Sequence, residues 1–476
     1  MRPSSWRVAS RRTRIFHPTN LQQIRNLLTF AIETSCDDTA VAVLESNGTS
    51  AKLHFNAKIT ANNGEYTGIH PVVALESHQK NLPSLIQSAI EHLPSSEQHG
   101  KLIKPDFISV TRGPGMRASL NNGVGTAKGL ALAWNIPIVG VHHMQAHALT
   151  PRLCSALKHG SASDSDSAIM KPTFPFLSLL VSGGHTMLIH SASLTSHKIL
   201  ANTTDIAIGD MLDKAGRSIL PPSVLSTAKN TAYGALLESY AFPDGHENST
   251  YSPPKSRREE YESCKRPSPF GWPFPLPLMV GEHGKNAKLA TFSFSGIDTY
   301  VQRLVSLGWD HGRNRLSQTP RATPIPDEER RYLAKEALRV AFEHLASRIV
   351  LVLEDLKSQN RELPTTLVVS GGVASNNFLH RLMRAFLAAR GFPDIEIVAP
   401  PVQFCTDNAA MIGWAGLEMY QAGFRTPMEF GTLRKWSLEN LEAPEMEEDS
   451  RDVLARLNDK KVKEMGDGSG EEPSER

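Results

Sequence analysis

One order of elements occurs twice along this chain, and it restricts the possible folds more than any other feature. In the first passage LLTFAIETSC, TAVAVLES and KLHFNAKIT read as three successive short strands. A helical pattern follows over Val72–His92. PDFISVTRGPG then predicts a strand running into a glycine turn, RASLNNGVGTAKGLALAW a helix, and IPIVGV a strand. The second passage repeats the grammar. FPFLSLLVSGGHTMLIHSAS predicts two strands about a glycine turn and KILANT a third, with helices around Asp210–Leu220 and Lys335–Lys357. TTLVVSGGVASNN is a strand, a Gly-Gly turn and a helix, IEIVAPP a strand, and TDNAAMIGWAGLEMYQ a closing helix. Two lobes with one element order imply a duplicated α/β fold with a central cleft.

The remaining segments are set by composition. Residues 1–29 read as a mitochondrial targeting presequence, because Arg2, Arg7, Arg11, Arg12, Arg14 and Arg25 precede the first acidic residue, Glu33. The N-terminal lobe is expected over 30–154, a Ser- and Asp-rich linker over 155–172, and the C-terminal lobe over 173–404. Within the latter, about 243–288 reads as a surface insertion, with its PPKSRREE and PSPFGWPFPLP runs. A helix and segment at 405–441 are expected to return to the N-terminal lobe. A disordered acidic tail is expected over 442–476, where twelve acidic residues face six basic ones. No apolar run approaches the length of a membrane span, so no membrane partner is expected. Cys36, Cys154, Cys264 and Cys405 form no CxxC pair, which argues against a disulfide framework and a thiolate zinc site. The formal charge of +2 permits a nucleic-acid partner only through a local patch.

Three glycine turns carry the first functional signal: GPG at 113–115, VSGG at 181–184 and VVSGGVASN at 368–376. At strand ends on both sides of a cleft, glycines let a ligand approach the backbone, and amides beyond Gly372 would favour phosphate. The second signal is HHMQAH, which places His143 and His147 on one helical face, able to share one ion with a third ligand. A zinc peptidase would need Glu after the first histidine, where this chain has Met144.

Taken together, ETSCDDT, HHMQAH, LLVSGGHT, FSFSG, SGGVASN and FCTDNAAMI resemble, in order, the motifs of the TsaD family of tRNA threonylcarbamoyladenosine synthases. That family belongs to the actin-like, Hsp70-like, sugar-kinase-like (ASKHA) superfamily, and the arginine-rich start resembles its organellar branch. The resemblance spans about Phe30 to Leu441. It implies transfer of a threonylcarbamoyl group from L-threonylcarbamoyladenylate, made by a separate synthase, to the exocyclic amine of the adenosine just 3′ of the anticodon. The acceptors would be tRNAs reading codons that begin with adenine, and AMP would leave. By motif match His143, His147 and Asp407 would hold one divalent ion per subunit, iron or zinc. Leu180, Val181, Ser182, Gly183, Gly184, Asp213, Gly234 and Asn376 would hold the adenylate. The organellar branch also implies a homodimer in the mitochondrial matrix.

Some positions depart from the family pattern. Gln145 stands where the family has Glu, Asp210 replaces another Glu, and the segment between Asp213 and Gly234 is long and lacks PGGP. Asp37 is expected to serve acid-base chemistry or a metal-bound water, against a turn-capping role for the Asp37–Asp38 pair. Two other classes compete with the transferase: an ATP-hydrolysing kinase or chaperone-like ATPase of the same fold, and a non-catalytic nucleotide-gated scaffold in mitochondrial genome maintenance.

Overall fold

The computed structural model describes residues 26–64, 66, 68–96, 100–161, 169–228, 233–245, 251–278 and 289–442. The expected presequence up to residue 25 and the acidic tail from 443 lie outside them. In the N-terminal lobe, β1 (Leu27–Glu33), β2 (Asp38–Ser46), β3 (Ala51–Thr60), β4 (Phe107–Gly113) and β5 (Ile138–His142) form a sheet of order β3-β2-β1-β4-β5. In the C-terminal lobe come β6 (Phe176–Val181), β7 (Thr186–Ser191) and β8 (His197–Asn202). A small hairpin, β9 (Trp309–Asp310) and β10 (Arg315–Leu316), precedes β11 (Thr366–Ser370) and β12 (Glu396–Val398). The second sheet has the order β12-β11-β6-β7-β8. Counting strands within each five-stranded sheet, both run third, second, first, fourth, fifth. The first three strands are antiparallel and the last two parallel in each. The duplicated α/β architecture expected from the repeated grammar is therefore present strand for strand, in keeping with the ASKHA fold that the family resemblance implies.

The apolar continuity of β1 reflects cover on both faces. Leu28, Phe30 and Ile32 pack with Leu82 and Ile86 of α1 (Pro71–Glu91) and with Val124 and Ala127 of α2 (Arg117–Trp134). Ala31, between them, joins Met411 and Trp414 of the helix Ala409–Gln421 on the other face. Each fully buried Phe or Ile there contributes about 1.5–3 kcal/mol. Small residues on that second face let the helix sit close, and a side chain on Gly413 would begin 3.2 Å from the Ala31 methyl.

Three boundaries differ from expectation. β1 begins at Leu27, whose neighbour Leu28 donates its N–H to Asp106 Oδ2 at 2.8 Å, so a presequence ending at 29 would cut into a paired strand. The helix α3 (His143–Ser161) continues beyond 155, where the linker was placed, because Leu153 and Ala156 are buried in the N-terminal core. The described part of the supposed surface insertion packs into the C-terminal lobe. Trp272 is 1% exposed and Phe274 3% exposed, and Trp272 Nε1 donates to Glu329 Oε1 at 3.1 Å. The helix Arg257–Ser263 inserts Glu260 against Arg390 and Ser347. Prolines interrupt regular structure in this stretch without keeping it at the surface.

The last described segment crosses back over the N-terminal lobe as a strap. Thr426 N–H donates to Ile138 O at 3.0 Å and Leu433 N–H to Arg112 O at 2.9 Å. Gly113 is required at this crossing, since a Cβ there would lie 1.9 Å from the Leu433 carbonyl. The strap ends with Leu438 and Leu441 in one cluster with Met144 of α3 and Leu180, Met187 and Ile189 of the second sheet, so it ties the two lobes together.

Candidate active site

His142 closes β5 and starts the helix that carries the histidine pair. Its Nδ1 accepts from the backbone N–H of Met144 at 3.1 Å and of Gln145 at 3.4 Å, satisfying helix-end amides, while Nε2–H donates to Trp436 O at 3.0 Å in the strap. Burial pushes this ring down to about 3, so it stays the neutral tautomer that both contacts need. One residue on, His143 and His147 fall on the same helical face, with ring centroids 4.7 Å apart and planes at 90°.

Asp407 reaches this face from just before the helix Ala409–Gln421. Its Oδ1 lies 3.5 Å from His143 Nε2 and 3.0 Å from His147 Nε2, and one ligand atom from each residue lies within 4.8 Å of the others. Donors about 2.0–2.2 Å from a tetrahedral ion stand roughly 3.3 Å apart, so the spacing fits one divalent ion. Behind the ligands, Glu33 Oε2 lies 3.3 Å and Ser35 Oγ 3.2 Å from His143 Nδ1, leaving Nε2 turned toward Asp407. A carboxylate at the rear nitrogen is how metal-bound imidazoles are commonly oriented. His147 Nδ1 is buried without a hydrogen-bond partner, so nothing on the rear side competes for this ring's orientation.

The electrostatics are those of a cation site. Although burial works against its charge, His143, His147 and Lys58 hold the Asp407 carboxyl well below the usual carboxylate range. Burial would favour a neutral His143, yet Asp407 and Glu33 hold that ring up at about 9, the positive form standing in for an ion. Lys58 of β3 also reaches the loop that carries Asp407, donating to Asp38 Oδ2 and Thr406 Oγ1 at 2.8 Å each and to Asp407 O at 3.2 Å. Asp38 is thereby occupied in an ion pair. Asp37 accepts a 3.2 Å bond from Asn63 Nδ2 at its carboxylate, and burial, then the charges of Asp38 and Asp407, push its carboxyl up against the hydrogen bond from Cys36.

Across the cleft the VSGG turn joins β6 to β7. Side chains at Gly183 and Gly184 would meet nothing within 4 Å, so these two glycines border open space. Gly209 and Gly371 have the opposite role: a Cβ at either would strike the Ser182 or Val181 carbonyl, at 2.6 and 2.4 Å. The start of α4 (Ile208–Ile219) and the SGGVASN turn are therefore pressed onto the VSGG turn. His185, the next residue, is pushed down to about 4 by burial and by His143 and His147, which places this turn within electrostatic reach of the metal ligands.

The candidate nucleotide residues divide by what they offer. Leu180 and Val181 bury their side chains in the core at 2% and 0% exposure, leaving only backbone for a ligand. Ser182 Oγ accepts from His185 N–H at 3.0 Å and shapes the turn. Asp213 and Gly234 are in direct contact, Gly234 N–H donating to Asp213 Oδ1 at 2.9 Å, and burial pushes Asp213 up to about 6. Asn376 caps the helix Asn377–Ala389 by accepting from Leu379 N–H at 3.0 Å. Of the family departures, Gln145 points away from the ligands and donates to Leu194 O at 2.8 Å, and Asp210 pairs at the surface with Lys214. Glu33, Ser35, His142 and Lys58 were missed from the sequence. The available signal was an acidic residue ending an otherwise apolar strand, which buries a carboxylate only where a partner awaits it.

Two duplicated sheets with a His/His/Asp cluster that could hold a metal ion define a two-lobe α/β protein whose candidate ligands differ from the oxygen-ligand arrangement that holds Mg-ATP in kinases. The model of the TsaD family, tRNA N6-adenosine threonylcarbamoyltransferase, matches residues 54–414, and the chain belongs to that family. The mitochondrial tRNA N6-adenosine threonylcarbamoyltransferase of Schizosaccharomyces pombe is 34% identical over 427 residues, 88% of each chain. That of Rickettsia bellii is 29% identical over 412 residues, 86% of this chain and 98% of its own. Among solved structures, T. kodakarensis HypF aligns with 84% of this chain and 48% of its own at a TM-score of 0.39 and 15% identity. The protein is thus a transferase that forms threonylcarbamoyladenosine in tRNA.

Proposed function

We propose that the donor is L-threonylcarbamoyladenylate supplied by a separate synthase, and that the acceptors are tRNAs reading codons that begin with adenine. The amine of the target adenosine attacks the carbamoyl carbonyl, a C–N bond forms, the bond from that carbon to the phosphate oxygen breaks, and AMP leaves with the electron pair. His143, His147 and Asp407 would hold one ion, iron or zinc, which supplies Lewis-acid polarisation of a phosphoryl or carbonyl oxygen. The observation that carries this reading is the convergence of both Nε2 atoms on Asp407 Oδ1. The backbone of Leu180–Gly184, with Asp213, Gly234 and Asn376, would take the nucleotide half. Asp37, pushed up by burial, is suited to accept the proton that the amine loses.

Asp213 tests the nucleotide half. If its carboxylate accepts from the ribose, Asp213→Ala weakens AMP by roughly ten- to a hundredfold while the ion stays bound. With Asp213 titrating at about 6, AMP affinity should rise as pH passes upward through that value, where the carboxylate becomes the better acceptor. Asp213→Asn should flatten that rise. Calorimetry with AMP, beside elemental analysis, measures both. An unchanged affinity in the alanine variant would remove Asp213 from the site, and a loss of ATP turnover at unchanged affinity would favour the ATPase reading.

We infer a mitochondrial matrix location from the arginine-rich, acid-free start and the mitochondrial relative. A reporter bearing residues 1–29 should be imported, and its retention in the cytosol would refute this. We also propose a homodimer, supported by Leu132 at 67% exposure beside the open glycines Gly125 and Gly129 on α2. Light scattering reads it directly, since a particle near the single-chain mass of 52.2 kDa would exclude it. Among the described residues no helix is long and apolar enough to cross a membrane.

A further inference from the structure

We propose that Lys58 is a positioning residue for Asp407: its ammonium fixes the loop that presents this carboxylate to the two histidines. The inference rests on the reading that His143, His147 and Asp407 hold one ion. Lys58 lies on β3, the edge strand of the first sheet, on the same face as Thr60. Asp38 of β2 is in register with Thr60, so Lys58 stands diagonally across from it. The two β3 side chains take one Asp38 oxygen each, Thr60 Oγ1 donating to Oδ1 and Lys58 Nζ to Oδ2, the latter at 2.8 Å.

A lysine and an aspartate paired on a sheet edge are ordinarily a surface ion pair of little consequence. Lys58 differs in where its other two bonds go. They reach a loop 348 and 349 residues further along the chain, to Thr406 Oγ1 at 2.8 Å and to the Asp407 carbonyl at 3.2 Å. An ammonium has three donors and no acceptor, and its three bonds here join two strands to one loop. The side chain is 33% exposed, so solvent screens much of its charge and the directed bonds outweigh its field. From the other side, Asn408 Nδ2 donates to Thr406 O at 2.8 Å, while Asn408 Oδ1 accepts from Met411 N–H at 2.9 Å and caps the helix Ala409–Gln421. The loop is thus tied to the helix on one side and to β3 on the other. Asp407 stands between the two ties with its Oδ1 on the histidines. Groups that orient a ligand in this way commonly contribute about ten- to a hundredfold in metal affinity.

Charge and geometry make opposite predictions for this residue. As a cation near the site, Lys58 repels a second cation, and removing it also releases the Asp38 carboxylate. On charge alone Lys58→Met should therefore bind metal more tightly; as the loss of a tether it should bind metal more weakly. Full-length protein is stripped of metal, and zinc(II) affinity is measured by competition with a chromogenic chelator, beside the Tm of each metal-free protein. Lys58→Met should bind zinc about tenfold more weakly, although its net charge has become more negative. Lys58→Met/Asp38→Asn, which removes both charges of the pair, should stay about tenfold weaker. Thr406→Val keeps every charge, loses one of the three acceptors, and should weaken zinc by about threefold. Metal-free Tm should match wild type throughout. Equal or tighter zinc binding by Lys58→Met would overturn the tether and leave a surface ion pair. Wild-type affinity in the double variant would assign the loss to the freed Asp38 carboxylate and overturn it equally. If Lys58→Met lowers the metal-free Tm, Thr406→Val decides, and unchanged zinc affinity there would sink the proposal. His147→Ala separates this from the metal reading: wild type that binds zinc no better than His147→Ala would remove the site itself, and the role of Lys58 with it.

Discussion

Alanine in place of His147 is expected to leave a folded protein with little bound ion and almost no transfer. The change removes one of two nitrogen donors that converge on Asp407 Oδ1, and it leaves that half-buried carboxylate with a single imidazole neighbour at 3.5 Å. If the ion contributes about 4 kcal/mol of charge stabilisation at the reacting carbonyl, its loss slows transfer by about a thousandfold. Glu33→Gln should be milder. It keeps the hydrogen-bonding shape behind His143 but removes the negative charge, and metal affinity should fall by about ten- to a hundredfold. Elemental analysis of both purified variants, beside wild type, reads these outcomes. A folded His147→Ala protein with a full complement of metal would show that the cluster is held together for structure alone.

The second large effect concerns stability in a stretch whose sequence looks dispensable. Trp272→Ala is expected to cost about 3–5 kcal/mol, because it empties the space between Phe274, Tyr332 and Phe270 and leaves Glu329 without its indole donor. Arg321 would still hold Glu329 through its bonds at 2.7 and 3.1 Å, so the loss falls mainly on packing. A tryptophan on a true surface insertion would change stability by less than about 0.5 kcal/mol. Urea unfolding followed by circular dichroism separates the two values without ambiguity.

How much of this was legible in the sequence depended on distance along the chain. Strands and helices of both lobes followed from local periodicity, and the lobe pairing followed from their repetition. The histidine pair was readable because four-residue spacing on a helix is a local fact. Asp407 lies 260 residues from His147, and only resemblance to a family connected the two. Glu33, which orients His143, sat in a quoted motif but was passed over in favour of Asp37 and Asp38. Its place at the end of an apolar strand signals a buried carboxylate but not its partner, and only the structure shows Asp38 engaged by Lys58 and Glu33 turned to the histidine. The run PSPFGWPFPLP misled for a related reason. Proline and glycine report the absence of regular hydrogen bonding, and burial is decided by what packs from elsewhere, here the helix Asp327–Ser358 with Glu329 and Tyr332.

The measurement closest to the central claim is a transfer assay with this protein alone. Purified metal-loaded enzyme is mixed with L-threonylcarbamoyladenylate and unmodified tRNA, the RNA is digested to nucleosides, and threonylcarbamoyladenosine and AMP are quantified together. The account predicts one AMP released per modified adenosine, and neither product above background with His147→Ala. Adenylate breakdown without modified nucleoside, ATP hydrolysis in its place, or full transfer by His147→Ala would contradict it.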